Sequence, residues 1–158
     1  MLRNSIIYLL LLCSTLSFSQ IGGKYTYQFL NLITSPRQAA LGGKVITNYD
    51  YDVNQAIFNP ATINPEMDNH LTANYGSLYG EINYGTAAYA YTWDRHVQTF
   101  HAAVNYVDYG AFDGYDEMGN QTGEFTGSEI ALSFGYAYNV PYTDIYLGAS
   151  GKLISSTL

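Results

Sequence analysis

An alternation with a period of two residues constrains this chain more than any other feature. From Glu129 to Tyr138, one side of an extended backbone carries Ile130, Leu132, Phe134, Tyr136 and Tyr138, and the other carries Glu129, Ala131, Ser133, Gly135 and Ala137. Side chains alternate across a strand but recur every ~3.6 residues on a helix, so the run reads as a strand with one greasy face and one small or polar face. Val97 to Tyr109 repeats the pattern, with Phe100, Ala102, Val104 and Tyr106 opposite Thr99, His101, Ala103 and Asn105. So does Thr143 to Ile154, where Ile145, Leu147, Ala149 and Leu153 oppose Asp144, Gly148, Ser150 and Lys152. Leu71 to Tyr79 and Ile82 to Trp93 read as strands from their Tyr, Thr and Ala content. After residue 20 no apolar run reaches the ~18 residues of a spanning helix, which excludes a helical membrane protein.

Alternation of this kind suits a soluble β-sandwich or a membrane barrel, and the connections separate the two. Asp94-Arg95-His96 and Asn139 to Tyr142 read as short turns, while Gly110 to Gly127 reads as one long polar loop. Both short turns then fall at one end of the strands and the long loop at the other, the asymmetry of outer-membrane barrels. Trp93, Tyr138 and Tyr142 lie near the short turns, and Tyr79, Tyr106 and Tyr109 near the opposite ends, as two aromatic girdles would. The reading is therefore all-β: a transmembrane antiparallel β-barrel, with Leu132 facing lipid and Ser133 facing a lumen wide enough to accept arginine.

Composition agrees with an exported, folded chain. Of 158 residues only 12% are charged, against 47% apolar and 16% aromatic, which excludes disorder. Six basic against 13 acidic side chains, with no basic run, make nucleic acid an improbable partner. Arg3, the apolar run Ile6 to Leu12 and Ser17-Phe18-Ser19 form a secretory signal peptide, cleaved before Gln20. Cys13, preceded by the bulky Leu12, is a poor lipidation site, and the mature chain holds no cysteine. Residues 1–19 are thus a signal peptide, 20–69 an N-terminal segment and 70–158 barrel strands.

The segment 20–69 has helical rather than strand character. Ser35 to Leu41 is helix-compatible and closed by Gly42-Gly43, and Asp52 to Phe58 is a short helical stretch ended by Asn59-Pro60. Pro60 and Pro65 forbid a central strand there. Such a segment fills a barrel lumen as a plug, or hangs below it as a tail.

Catalytic and metal constellations are thin. His70, His96 and His101 lack zinc-site spacing, and His101 with Glu129 and Ser133 lacks the fixed order of a hydrolytic triad. Asp108, Asp113, Asp116, Glu117 and Glu124 lack the EF-hand spacing and read as a solvated outer loop. The chain is read as a non-enzyme without cofactor or metal. Phe112, Tyr115 and Phe125, on the long connection, are the aromatic candidates for contact with a partner protein.

Two motifs add a family expectation. Arg37 followed by Gly42-Gly43, and Asp52 followed by Asn59-Pro60-Ala61, resemble the N-terminal signature of FadL-like outer-membrane proteins. With Asn64-Pro65-Glu66-Met67, Asp108 to Asp116 and Glu117 to Gly123, the pattern is similar to the PorV/PorQ barrels of the type IX secretion system of Bacteroidetes, the PorQ type above all. The resemblance implies a barrel of about fourteen strands when complete, of which this chain would hold the first five and stop inside a strand. It assigns Arg37, Gly42, Gly43, Asp52, Asn59, Pro60 and Ala61 to the plug. It implies residence in the outer membrane of a Gram-negative bacterium, among lipid and lipopolysaccharide. The implied role is anchoring the surface adaptor PorZ within the attachment complex that includes PorU and PorV. The alternative it leaves is a FadL-like transporter of hydrophobic compounds, which the polar Thr99, Asn105, Glu129, Ser133 and Lys152 disfavour as lumen lining.

Overall fold

A computed structural model describes residues 26–94 and 97–157; the signal peptide expected at residues 1–19, with Cys13 and the cleavage before Gln20, and Arg95 and His96 of the expected turn lie outside them. Five strands form one antiparallel sheet in chain order: β1 (Leu71–Ser77), β2 (Asn83–Asp94), β3 (Gln98–Tyr115), β4 (Gln121–Asn139) and β5 (Tyr146–Thr157). Every neighbour pair is a hairpin, so the sheet is a meander with β1 and β5 at its edges. Among the described residues no helix is long and apolar enough to cross a membrane.

Register lines up the sequence alternation across the whole sheet. Leu71 pairs with Tyr89, Tyr89 with Ala102, Ala102 with Phe134, and Leu132 with Leu153. These residues share one face, and it is bare: Phe134 is 57% exposed and Leu153 67%. The other face carries Thr86, Ala88, Ala90, Thr99, His101, Ala103, Asn105, Glu129, Ala131, Ser133 and Ala137, all buried.

What buries that face is the segment 26–69. It folds as α1 (Pro36–Ala40) and 3-10 turns at Gln28–Asn31, Val53–Ile57, Pro60–Thr62 and Pro65–Met67. Val53, Ile57 and Met67 pack on Ala88, Ala90 and Ala103; Phe29 packs with Val107 and Ala131; Ala56 and Ile63 pack with Ala137. Small side chains on the strands leave room for large ones from the segment, each worth about 1.5–3 kcal/mol when fully buried.

Four expectations are corrected. The supposed loop Gly110 to Gly127 is mostly strand, since β3 continues to Tyr115 and β4 starts at Gln121, leaving a turn at 116–120. Gly119 takes positive φ in that turn (+83°). Ser133 does not face open space: it is 3% exposed beneath the N-terminal segment, with no room for arginine. Tyr109 does not join an outer girdle, because its hydroxyl turns inward to Glu129. The turn after β4 also runs on to Ile145, so β5 begins three residues later than the alternation implied.

Candidate functional site

The motif residues of the N-terminal segment build a seat on the sheet. Ser35 caps α1, its Oγ accepting from the Gln38 N–H at 3.5 Å. The helix ends in a Schellman motif, where the Gly43 N–H reaches the Gln38 carbonyl (2.9 Å) and the Gly42 N–H the Ala39 carbonyl (3.1 Å). Both glycines hold positive φ, +93° and +128°, which explains the Gly-Gly pair. Arg37 projects from the helix to pair with Asp50 and lies 4.9 Å from the Tyr51 ring centroid. A hydrogen bond with Tyr51, and then the charge of Asp50, hold its pKa above the ordinary value.

Three Asx residues repeat one device. Asp52 Oδ1 accepts from the Asn54 N–H (3.1 Å), Asn59 Oδ1 from the Ala61 N–H (3.0 Å) and Asn64 Oδ1 from the Glu66 N–H (2.8 Å), each capping the 3-10 turn that follows. The two asparagines also donate backward, Asn59 Nδ2 to the Ile46 carbonyl (2.6 Å) and Asn64 Nδ2 to the Asp50 carbonyl (2.8 Å). Each Asn-Pro step therefore starts a turn and ties down the loop 44–52.

Groups from four strands then hold the seat, side chains from β1, β3 and β5 and a backbone N–H from β2. Asn54 Oδ1 accepts from Thr72 Oγ1 (3.2 Å) and Asn74 Nδ2 (3.0 Å) of β1. The Thr92 N–H of β2 donates to Asp68 Oδ1 at 2.9 Å. His101 Nε2 of β3 meets the Val53 carbonyl at 3.1 Å, and Lys152 Nζ of β5 donates to the Ile57 carbonyl at 3.0 Å. Pro60 and Ala61 lie flat on β5 at Gly148, where a Cβ would sit 2.3 Å from the Pro60 carbonyl carbon. All seven motif residues thus serve docking, capping or turn geometry.

Sequence reasoning missed Asn54 and Gly148. A glycine among the polar-face positions of β5 was the available signal for the second, since it marks close backbone approach. The hydrolytic constellation does not assemble. His101 is engaged by Val53, whereas Glu129 accepts from Tyr109 Oη (2.5 Å) and Ser156 Oγ (2.9 Å). Among the described residues no group of three or more His, Cys, Asp or Glu could hold a metal ion.

At the far end of the strands the aromatic candidates divide. Phe112 stands directly opposite Phe125, and the Phe125 ring covers Gly114, where a Cβ would meet it at 2.4 Å. Tyr115 lies beyond a second register shift, opposite Gln121. The turn is organised by Asp116, whose Oδ1 accepts from the Met118 (2.9 Å) and Asn120 (2.8 Å) N–H groups. The Asn120 side chain, then its backbone, lower the Asp116 pKa.

No family model, curated protein or solved structure matches the chain.

Proposed function

We propose that this sheet is one wall of a FadL-like outer-membrane β-barrel, that the segment 20–69 plugs its lumen, and that the protein anchors a surface adaptor without catalysis. The observation that carries this reading is the inversion of the sheet's two faces. A soluble sheet hides its apolar face and shows its polar one, whereas here the apolar face is bare and the small, polar face lies under the N-terminal segment. A contiguous surface of Tyr89, Phe100, Leu132, Phe134 and Leu153 belongs in lipid. Its extent fits a bilayer: from Ile130 to Tyr138 the strand rises about 27 Å, or about 21 Å of height at a tilt of ~40°, against an apolar band of ~25 Å. Five strands cannot close a barrel, and among the described residues β1 and β5 each pair on one flank only.

Anchoring is favoured over conduction by the seat itself. Hydrogen bonds from β1, β2, β3 and β5 pin the plug, and a Glu129 carboxylate held by two hydroxyls lines the wall beside it. In the PorQ-type reading the contact lies outward, on the β3–β4 hairpin, with PorZ and the PorU/PorV complex as the partners the sequence resemblance implies. The test replaces Gly114 to Thr122 by an Asn-Gly turn in the full-length protein. The barrel is expected to keep its heat-modifiable gel mobility while adaptor retention on intact cells falls. Unchanged retention, or lost uptake of a hydrophobic nutrient with retention intact, would overturn the anchoring role.

A further inference from the structure

The β3–β4 hairpin outruns β2. That strand pairs with β3 only as far as Asn83 opposite Asp108, while β3 continues to Tyr115. Gly110, with φ +72°, lies at the register shift between Asp108 and Ala111, where a Cβ would sit 3.3 Å from the Glu81 Cβ. A bulge here ends the β2 pairing and turns β3 away from it. Among the described residues, the flank of Ala111–Tyr115 that looks away from β4 is therefore an open edge of backbone donors and acceptors. Native sheets guard such edges with lysine, proline, bulges or other charges; this stretch has no lysine or proline, and its guards are the bulge at Gly110 and the acidic Asp113, which a basic strand neutralises.

The same stretch carries one sign of charge. Asp113 stands directly opposite Glu124, Asp116 and Glu117 follow at the turn, and no Lys or Arg occurs between Gln98 and Gly151. Like charges directly opposite destabilise a ladder, and the single hydrogen bond from Gln121 Nε2 to Asp113 Oδ1 (2.9 Å) engages one oxygen of the four. By the period of two, Phe112 and Phe125 occupy the other face of the ribbon, half-exposed or more. Anionic lipid headgroups are repelled by these carboxylates, whereas a cationic strand relieves them.

We propose that the open edge of Ala111–Tyr115 receives an extended, basic segment of a partner protein by strand addition, its Lys or Arg side chains beside Asp113 and reaching toward Glu124 one strand further on, and its alternate apolar side chains beside Phe112. The location of this edge outside the cell rests on the barrel reading above; the edge and its charge do not.

The test titrates the full-length protein, in detergent micelles, with the peptide acetyl-Lys-Val-Lys-Val-Lys-Val-amide. Amide exchange at Ala111–Tyr115 is expected to slow about tenfold or more. The effect should vanish with the Glu-Val analogue, with the Lys-Val peptide N-methylated at alternate amides, and with the D113K/E124K variant. Equal protection by the acidic or N-methylated peptide, or undiminished protection of the variant, overturns the proposal. So does equal protection by phosphatidylglycerol vesicles, which would assign the edge to the membrane. Heat-modifiable mobility is read on the same samples. Peptide protection without that mobility would sink the barrel and keep the edge, whereas normal mobility without protection would sink the edge alone.

Discussion

A single methyl group at Gly148 tests whether the plug is built into the fold. Adding a Cβ there places it 2.3 Å from the Pro60 carbonyl carbon and 2.4 Å from the Ala61 nitrogen. Both are backbone atoms fixed by the Asn59 cap, so no flexible side chain can yield. Overpacking of this kind costs about 1–3 kcal/mol. Loss of glycine's freedom in the unfolded chain returns about 0.4–1 kcal/mol. Gly148→Ala is therefore expected to loosen the seat by about 1–2 kcal/mol net. Gly151→Ala is the control, because a Cβ there meets nothing within 4 Å, and it should be neutral or stabilising by about 0.4–1 kcal/mol. The reporters are the amides of Ala61, Thr62 and Ile63, which donate to Asn59 Oδ1, the Asn59 carbonyl and the Pro60 carbonyl. In full-length protein, Gly148→Ala should speed their hydrogen exchange about 5–30-fold and Gly151→Ala should leave it unchanged. Equal exchange in both variants would refute the seat.

Leu132→Arg places a charge on the bare apolar face and should cost about 2–4 kcal/mol near the bilayer midplane, seen as a fall in heat-modifiable barrel yield. Ser133→Arg should fail for a different reason, by displacing the N-terminal segment from the sheet, and is read as protease cleavage within 44–69. Asn59→Ala removes a cap and the tether to the Ile46 carbonyl, about 0.5–2 kcal/mol, so the loop 44–52 should become the first site of proteolysis. Asp116 has a folded pKa below its ordinary value of 3.8, so its contribution to the turn is complete above that value and is lost as pH falls through the folded pKa. Carbon-detected NMR titration should give a midpoint below 3.8 that rises in Asn120→Ala.

Strand positions were legible wherever one face is greasy and the other small, as in β4 from Ile130 to Tyr138. The reach of the hairpin was not, because Ala111 to Thr126 is crowded with Gly, Asp, Glu, Asn and Thr, and its few aromatics are too widely spaced to mark an alternation; pairing across the ladder makes it strand. Capping was legible too, since Asn-Pro steps and a Gly-Gly pair act within a few residues of themselves. What the caps dock against was not, because Gly148 meets Pro60 across almost ninety positions of sequence. Alternation likewise assigned Ser133 its face and said nothing of what covers it. Tyr109 follows Thr99, His101, Ala103 and Asn105 in the period of two, so its inward facing was legible; its position near a strand end, which reads as a girdle, outweighed that signal, and its bond to Glu129 settles the matter.

The account turns on what touches the bare face of β4. Nitroxide scanning from Ser128 to Tyr138 in reconstituted full-length protein, comparing collision with oxygen and with a water-soluble nickel chelate, reads this directly. The account predicts that Ile130, Leu132, Phe134 and Tyr136 are accessible to oxygen and shielded from nickel, while Glu129, Ala131, Ser133 and Gly135 between them are shielded from both. High nickel accessibility at Leu132 and Phe134 would place that face in water and contradict it.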